Sequence, residues 1–194
     1  MSLLRYSNYK DSGVEWLGDV PEHWDVLKLK RICALRSGDG ITSEDIAEEG
    51  NYPVYGGNGL RGYTRKFTHE GRYALIGRQG ALCGNVNYAN GKFWASEHAV
   101  VVSPIQMVVT SWLGELLRAM NLNQYSITAA QPGLAVEAVG NLFIPLPPDK
   151  EQQTIAAFLD RETAKIDELV AEQRRLVELL KEKRQAVISH AVPA

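Results

Sequence analysis

Two glycine-bounded stretches hold most of the side chains suited to hydrogen-bond chemistry. The first, Val54-Tyr55-Gly56-Gly57-Asn58-Gly59-Leu60-Arg61-Gly62-Tyr63, runs on into Thr64-Arg65-Lys66, and the second runs from Ala74 to Tyr88 with Gly77-Arg78-Gln79-Gly80 as its tip. Residues without a Cβ let a backbone come close to a phosphate or a base. An Asn or Gln amide sets a donor beside an acceptor, the pair that reads adenine, whereas an Arg guanidinium forks onto guanine or grips phosphates. Gly57, Asn58, Arg61, Tyr63, Arg65, Lys66, Arg78 and Gln79 are therefore the candidate DNA-binding residues, with Tyr63 able to stack or hydrogen-bond. Solvated turns use the same residue types, so either stretch alone is ambiguous. Two of them in one basic segment favour a nucleic-acid contact.

The formal net charge of −2 argues against that contact only if charge is spread evenly. It is not. Between Asn51 and Ala95 stand Arg61, Arg65, Lys66, Arg72, Arg78 and Lys92 against Glu70 alone, while acids outnumber Lys28, Lys30, Arg31 and Arg36 across residues 11–50. One basic and one acidic face are expected.

Other chemistries fit poorly. Gly57 to Gly62 spells GxGxxG, but the polar Thr64–Gly71 that follows lacks the helix a dinucleotide fingerprint must open. Gly91-Lys92 precedes Phe93 and has Val86 five places earlier, so it is no P-loop, and no Asn-Pro-Pro-Tyr or Asp-Pro-Pro-Tyr run of an amino-methyltransferase occurs. His23, His69, His98 and His190, with Cys33 and Cys83, show no metal-type spacing. Glu97-His98 reads as a hydrogen-bonded pair within a strand, and Cys83 as a small buried apolar residue. No catalytic residue, metal site or cofactor is expected in the chain. With neither a signal peptide nor a membrane-length apolar run, a soluble cytoplasmic protein is the default.

These loops need a scaffold, and short apolar runs between Gly and Asn clusters predict a strand-rich mixed body. Strands are expected near Val26–Leu35, Tyr52–Tyr55, Tyr73–Ile76, Leu82–Tyr88, Phe93–Val102 and Leu142–Leu146, with Gly77–Gly80 at a hairpin tip. Helices are expected at Thr42–Glu49, capped by Thr42 or Ser43, and at Thr110–Met120, whose Trp112, Leu113, Leu116, Leu117 and Met120 form a core stripe.

After Pro147-Pro148-Asp149-Lys150-Glu151-Gln152 the chain is helix-forming to about His190. Asp149 is placed to cap, Gln152 to complete a capping box, and Pro193 cannot continue the helix. Its seam runs Ile155, Leu159, Glu162, Ile166, Leu169, Gln173, Leu176, Leu180, Lys183 and Val187, in alternate steps of four and three. At ~1.5 Å per residue the helix spans roughly 60 Å, about twice a small domain. An apolar seam of that length needs a partner helix, expected from another chain, with Ile155, Leu159, Ile166, Leu169, Leu176, Leu180 and Val187 at the interface. Glu162, Gln173 and Lys183 interrupt the seam, placed either to fix register through polar pairing or to face solvent where the helices splay. The expected organisation is a body over residues 1–148, large enough to bury roughly 70% of its unfolded surface, and a helix over 149–194.

The chain resembles the specificity subunits of type I restriction-modification systems, one target recognition domain with its conserved helix. The marks are Tyr9-Lys10-Asp11-Ser12-Gly13-Val14-Glu15-Trp16-Leu17-Gly18-Asp19-Val20-Pro21-Glu22-His23-Trp24, Pro53 to Gly59, Ile76 to Gly80, Gln131-Pro132-Gly133, Ile144 to Pro148, and Glu151-Gln152 running into Phe158-Leu159-Asp160. The resemblance implies an α+β fold and a non-catalytic reader of double-stranded DNA. It also implies docking to modification subunits, which bind S-adenosylmethionine and methylate adenine, and to restriction subunits. The family's full subunit has two recognition domains joined by two antiparallel helices, so one domain and one helix resemble a half-subunit, either naturally short or truncated. Two copies would then pair as a homodimer through an intermolecular antiparallel coiled coil. A coiled-coil scaffold that binds protein instead of DNA is the alternative reading.

Overall fold

The computed structural model describes residues 6–80, 82–126 and 133–191. Gln131 and Pro132 of the family mark, and Pro193, lie outside the described residues. The chain divides into two compact units, Met1–Gln153 and Thr154–Ala194.

In the first unit the strands are β1 (Tyr9–Asp11), β2 (Asp19–Pro21), β3 (Asp25–Lys28), β4 (Cys33–Ser37), β5 (Tyr52–Gly56), β6 (Gly59–Thr64), β7 (His69–Gly77), β8 (Val86–Ala95), β9 (Ala99–Pro104) and β10 (Phe143–Leu146). The helices are α1 (Thr110–Ala119), α2 (Val136–Gly140) and the start of α3 (Asp149–Ala191). A six-stranded sheet has the order β4-β9-β7-β8-β5-β6, while β1 pairs with β2 and β3 with β10. Neighbours in the large sheet are antiparallel except β5 and β8. This is the α+β, strand-rich architecture the sequence predicts.

The central strands are covered on both faces, so Ala74-Leu75-Ile76 and Ala99-Val100-Val101-Val102 are buried without alternation. On one face Leu75, Ala89, Phe93, Ala95 and Val101 cluster, with Tyr55 and Tyr73 packed against them. On β7 and β8 packs α1, burying Trp112, Leu113 and Leu117; each such side chain contributes about 1.5–3 kcal/mol. Gly114 permits that approach, since a Cβ there would overlap the Tyr88 phenol, whose hydroxyl donates to Ser111 O and Glu115 Oε1 at 3.0 Å each.

Several expected elements are cut short. Thr42–Glu49 holds only a 3₁₀ turn, Ser43–Asp45, because Ala47 leaves to pair with Tyr63 of β6, and sheet pairing overrides the local helix preference. Val26–Leu35 breaks at Leu29–Arg31, where Leu29 and Ile32 turn into the core. The strand expected from Leu82 starts at Val86, after turns in which Gly80 and Gly84 hold φ near +89°. Phe93–Val102 divides into β8 and β9, which places Glu97 and His98 on a turn and not within a strand.

At the start of α3, the N–H groups of Glu151 and Gln152 donate to Pro148 O at 2.8 and 3.0 Å, so Pro148 is the cap and Asp149 the first helical residue. Gln152 makes no capping box. Its amide, 1% exposed, accepts from Val109 N–H at 3.0 Å and donates to Pro147 O at 2.9 Å, because buried polar groups there need partners more than the helix end does. Glu151 gathers Tyr6 Oη at 2.6 Å, His23 Nε2 at 2.7 Å and Trp24 Nε1 at 2.9 Å. Desolvation raises the Glu151 pKa, but these hydrogen bonds outweigh it and hold the carboxyl below its ordinary value. A depressed folded pKa contributes stability above the unfolded value of about 4.3, and that stability is lost as pH falls through the folded value. Glu151→Gln should therefore melt below wild type at neutral pH and approach it in acid. A gap in melting temperature that is constant between pH 7 and pH ~3.5 would contradict this.

Candidate nucleic-acid interface

Gly57 and Asn58 form the two-residue turn between β5 and β6, and Gly59 follows with φ +93°. Arg78 and Gln79, which follow β7, run against this turn. A Cβ on Gly77 would strike the Gly57 carbonyl oxygen, and one on Gly57 would lie 3.2 Å from His98 O and 3.3 Å from Gln79 O. The two glycine stretches of the sequence thus meet backbone to backbone. Gly77→Ala puts a methyl against a carbonyl that no side-chain rotation can relieve. It should cost about 1–3 kcal/mol, read as a lower urea midpoint at unchanged slope; an unaltered midpoint would show that the loops separate freely.

Between the stretches lies a cleft of about 530 Å³ lined by Gly57, Asn58, Gly59, Leu60, Arg61, Gln79, Gly80, Leu82 and His98. Of the candidates, Gly57, Asn58, Arg61 and Gln79 come together here. The others do not. Arg78 donates from Nη1 to Ser37 Oγ at 3.2 Å on β4. Arg65 and Lys66 are exposed beyond the far end of β6, roughly 20 Å from Gly59 at ~3.3 Å per residue. Tyr63, half-buried near that end, pairs its backbone with Ala47.

The basic segment is only partly available. Arg72 lies over the Tyr88 ring at 5.9 Å, and Lys92 sits 4.9 Å over Phe67 and 3.9 Å from Glu70. Among the described residues Arg61, Arg65 and Lys66 make no hydrogen bond or ion pair, which leaves them free for an anionic ligand.

Of the cleft residues, Asn58 Oδ1 accepts from Asn85 Nδ2 at 3.1 Å, His98 Nδ1 lies 2.9 Å from Gln79 Oε1, and His98 Nε2 lies 3.1 Å from Glu97 Oε1. Neither His98 nor Asn85 is among the candidates read from the sequence, although the expected Glu97–His98 pair is present. Asn85 follows a glycine in an amide-rich run and could have been found. His98 could not, because it reaches the cleft only through the β8–β9 turn, where its carbonyl accepts Arg78 N–H at 2.8 Å. Cys83 is buried, as the sequence predicts, and desolvation pushes its thiol up.

In the second unit, Ile166, Leu169, Leu176, Leu180 and Val187 are 48–60% exposed. Val170, Val177, Leu179 and Ile188 are exposed as well, so the apolar stripe is wider than the seam read from the sequence. Glu162, a seam position, already accepts from Arg161 Nε at 2.9 Å and Lys165 Nζ at 3.0 Å on its own helix. No helix among the described residues is long and apolar enough to cross a membrane, and no cluster of His, Cys, Asp or Glu is arranged to hold a metal.

The family model described as the type I restriction modification DNA specificity domain matches residues 21–179. The chain is 43% identical, over 83% of its own length and 41% of the relative's, to the type I restriction enzyme EcoprrI specificity subunit of Escherichia coli. Its fold is similar to that in a crystal structure of a type I restriction-modification S subunit from M. genitalium, with a TM-score of 0.67, 19% identity, and coverage of 84% and 44% of the two chains. It is also similar to a structure from work on complex assembly and conformational transition of the type I R-M system, with a TM-score of 0.72, 24% identity, and coverage of 90% and 47%. At these identities the solved structures speak to fold alone. The chain spans less than half the length of these relatives.

Proposed function

The chain belongs to the family of type I restriction modification DNA specificity domains, and from that membership we propose that it reads one half of a bipartite double-stranded DNA target. The observation that carries this reading is the convergence of both glycine stretches on one cleft holding Asn58, Arg61 and Gln79. Base edges meet Asn58, Arg61 and Gln79 over the close-packed Gly57, while Arg65 and Lys66 grip phosphates further along the duplex. Arg78 acts through its bond to Ser37, which braces the connection carrying Gln79, and Tyr63 supports the β6 edge.

The chain performs no bond chemistry itself. It delivers modification subunits, which bind S-adenosylmethionine and methylate adenine, and a restriction subunit to the site it has read. Two copies pair α3 antiparallel as a homodimer, through Ile155, Leu159, Ile166, Leu169, Leu176, Leu180 and Val187. Their two-fold symmetry demands an interrupted palindrome, with half-sites held apart by helix length.

One observation favours a protein partner instead: Leu60 and Leu82 at the cleft are 53% and 46% exposed. Fluorescence anisotropy of the full chain with mixed-sequence duplexes decides between the two. DNA reading predicts binding in the range of about 1–100 µM that weakens steeply as salt rises. No binding across that range would leave the protein-binding scaffold as the better reading.

A further inference from the structure

Two amides line the cleft, and each has its oxygen held from the side. Asn58 Oδ1 accepts from Asn85 Nδ2, and Gln79 Oε1 lies 2.9 Å from His98 Nδ1. An amide oxygen only accepts, so the imidazole nitrogen supplies the hydrogen. Among the described residues nothing bonds to Asn58 Nδ2 or Gln79 Nε2. With the Arg61 guanidinium, these amide nitrogens are side-chain donors left unengaged in this cleft.

His98 is itself anchored at both ends. Its carbonyl accepts Arg78 N–H at 2.8 Å, and its Nε2 faces Glu97 Oε1 at 3.1 Å. The other Glu97 oxygen, Oε2, is buried without a partner, so the carboxylate's bonding is directed at this ring. Both ring nitrogens face acceptors, and it is the doubly protonated ring, with an N–H on each nitrogen, that keeps Gln79 from rotating its amide end for end.

We propose that His98 is a positioning residue for base discrimination, fixing Gln79 with Oε1 held and Nε2 presented, so that this position selects a base edge of acceptors. In the major groove such edges are guanine O6 and N7 or thymine O4, whereas cytosine offers its N4 amine. The proposal rests on the DNA-reading function and deepens it. It also departs from the sequence expectation, since a bidentate adenine reader needs both the oxygen and the nitrogen of the amide turned to the base.

The test is selection of duplexes randomised across the half-site by the full chain, with the bound fraction sequenced and preference scored base by base. Wild type should favour an acceptor edge over cytosine at one position by about fivefold or more. His98→Ala should bring that ratio to within about twofold while other positions keep their preference. Gln79→Glu changes an exposed side chain and leaves only acceptors, so at the same position it should reverse the preference toward cytosine or adenine amines. If His98→Ala does not fold, the Gln79→Glu profile decides. A wild-type profile in His98→Ala, or a loss spread evenly over all positions in that variant, would overturn the role of His98 and leave DNA reading intact. A wild-type chain with no preference at any position would overturn DNA reading itself, and the inference with it.

Discussion

Leu169→Glu combined with Leu176→Glu is expected to convert a dimer of this chain into monomers. Both side chains stand exposed on α3, at 55% and 48%, and belong to the apolar stripe that the proposed pairing buries. A two-fold pairing buries each leucine twice. Four partly exposed leucines at about 1 kcal/mol apiece give on the order of 4 kcal/mol, roughly a thousandfold in dissociation constant. Carboxylates facing across the seam add to that loss. Light scattering should report the monomer mass while circular dichroism keeps the strand signature of the first unit. A dimer mass in the variant would mean that the pairing surface lies elsewhere on the stripe, with Val170, Val177 and Ile188 the next residues to test.

Replacing Arg61, Arg65 and Lys66 together with alanine is expected to lower affinity for duplex DNA by on the order of a hundredfold at physiological salt. It should also make the slope of log K against log salt shallower by about 2.7, or ~0.9 for each phosphate no longer neutralised. These three cations have no hydrogen-bond or ion-pair partner among the described residues, so their removal breaks no polar contact of the fold. Arg78→Ala is the contrasting variant. Its guanidinium is bonded to Ser37, so it should change stability more than the salt slope. An Arg78→Ala slope shifted as far as that of Arg61→Ala would show that the guanidinium leaves Ser37 to meet phosphate.

The sequence was most legible where local pattern and tertiary packing agree. Trp112, Leu113, Leu117 and Met120 of the α1 stripe bury as their spacing predicts, with Leu116 half-buried, and α3 follows the two prolines. It was least legible where a distant strand decides. Residues 42–49 carry a helix start signal, yet Ala47 is taken by the edge strand β6. Phe93–Val102 is one apolar run, yet the chain reverses at Ser96–His98 because β9 must return to pair with β7.

The site shows the same division. Its glycines, amides and cationic residues stood out by type, but which of them share a cleft depends on where β6 and β7 end. That is why Arg61 and Gln79 meet while Arg65 and Lys66 sit at the other end of β6. The role of His98 depends on a turn that brings it to Arg78 and Gln79, and no spacing in the sequence encodes that.

The most direct test is the methylation pattern of genomic DNA from cells that carry this chain with a modification subunit. The expected result is a single interrupted palindrome, methylated on adenine in both half-sites and lost when the chain is deleted. An asymmetric motif, or a motif that persists without the chain, would contradict it.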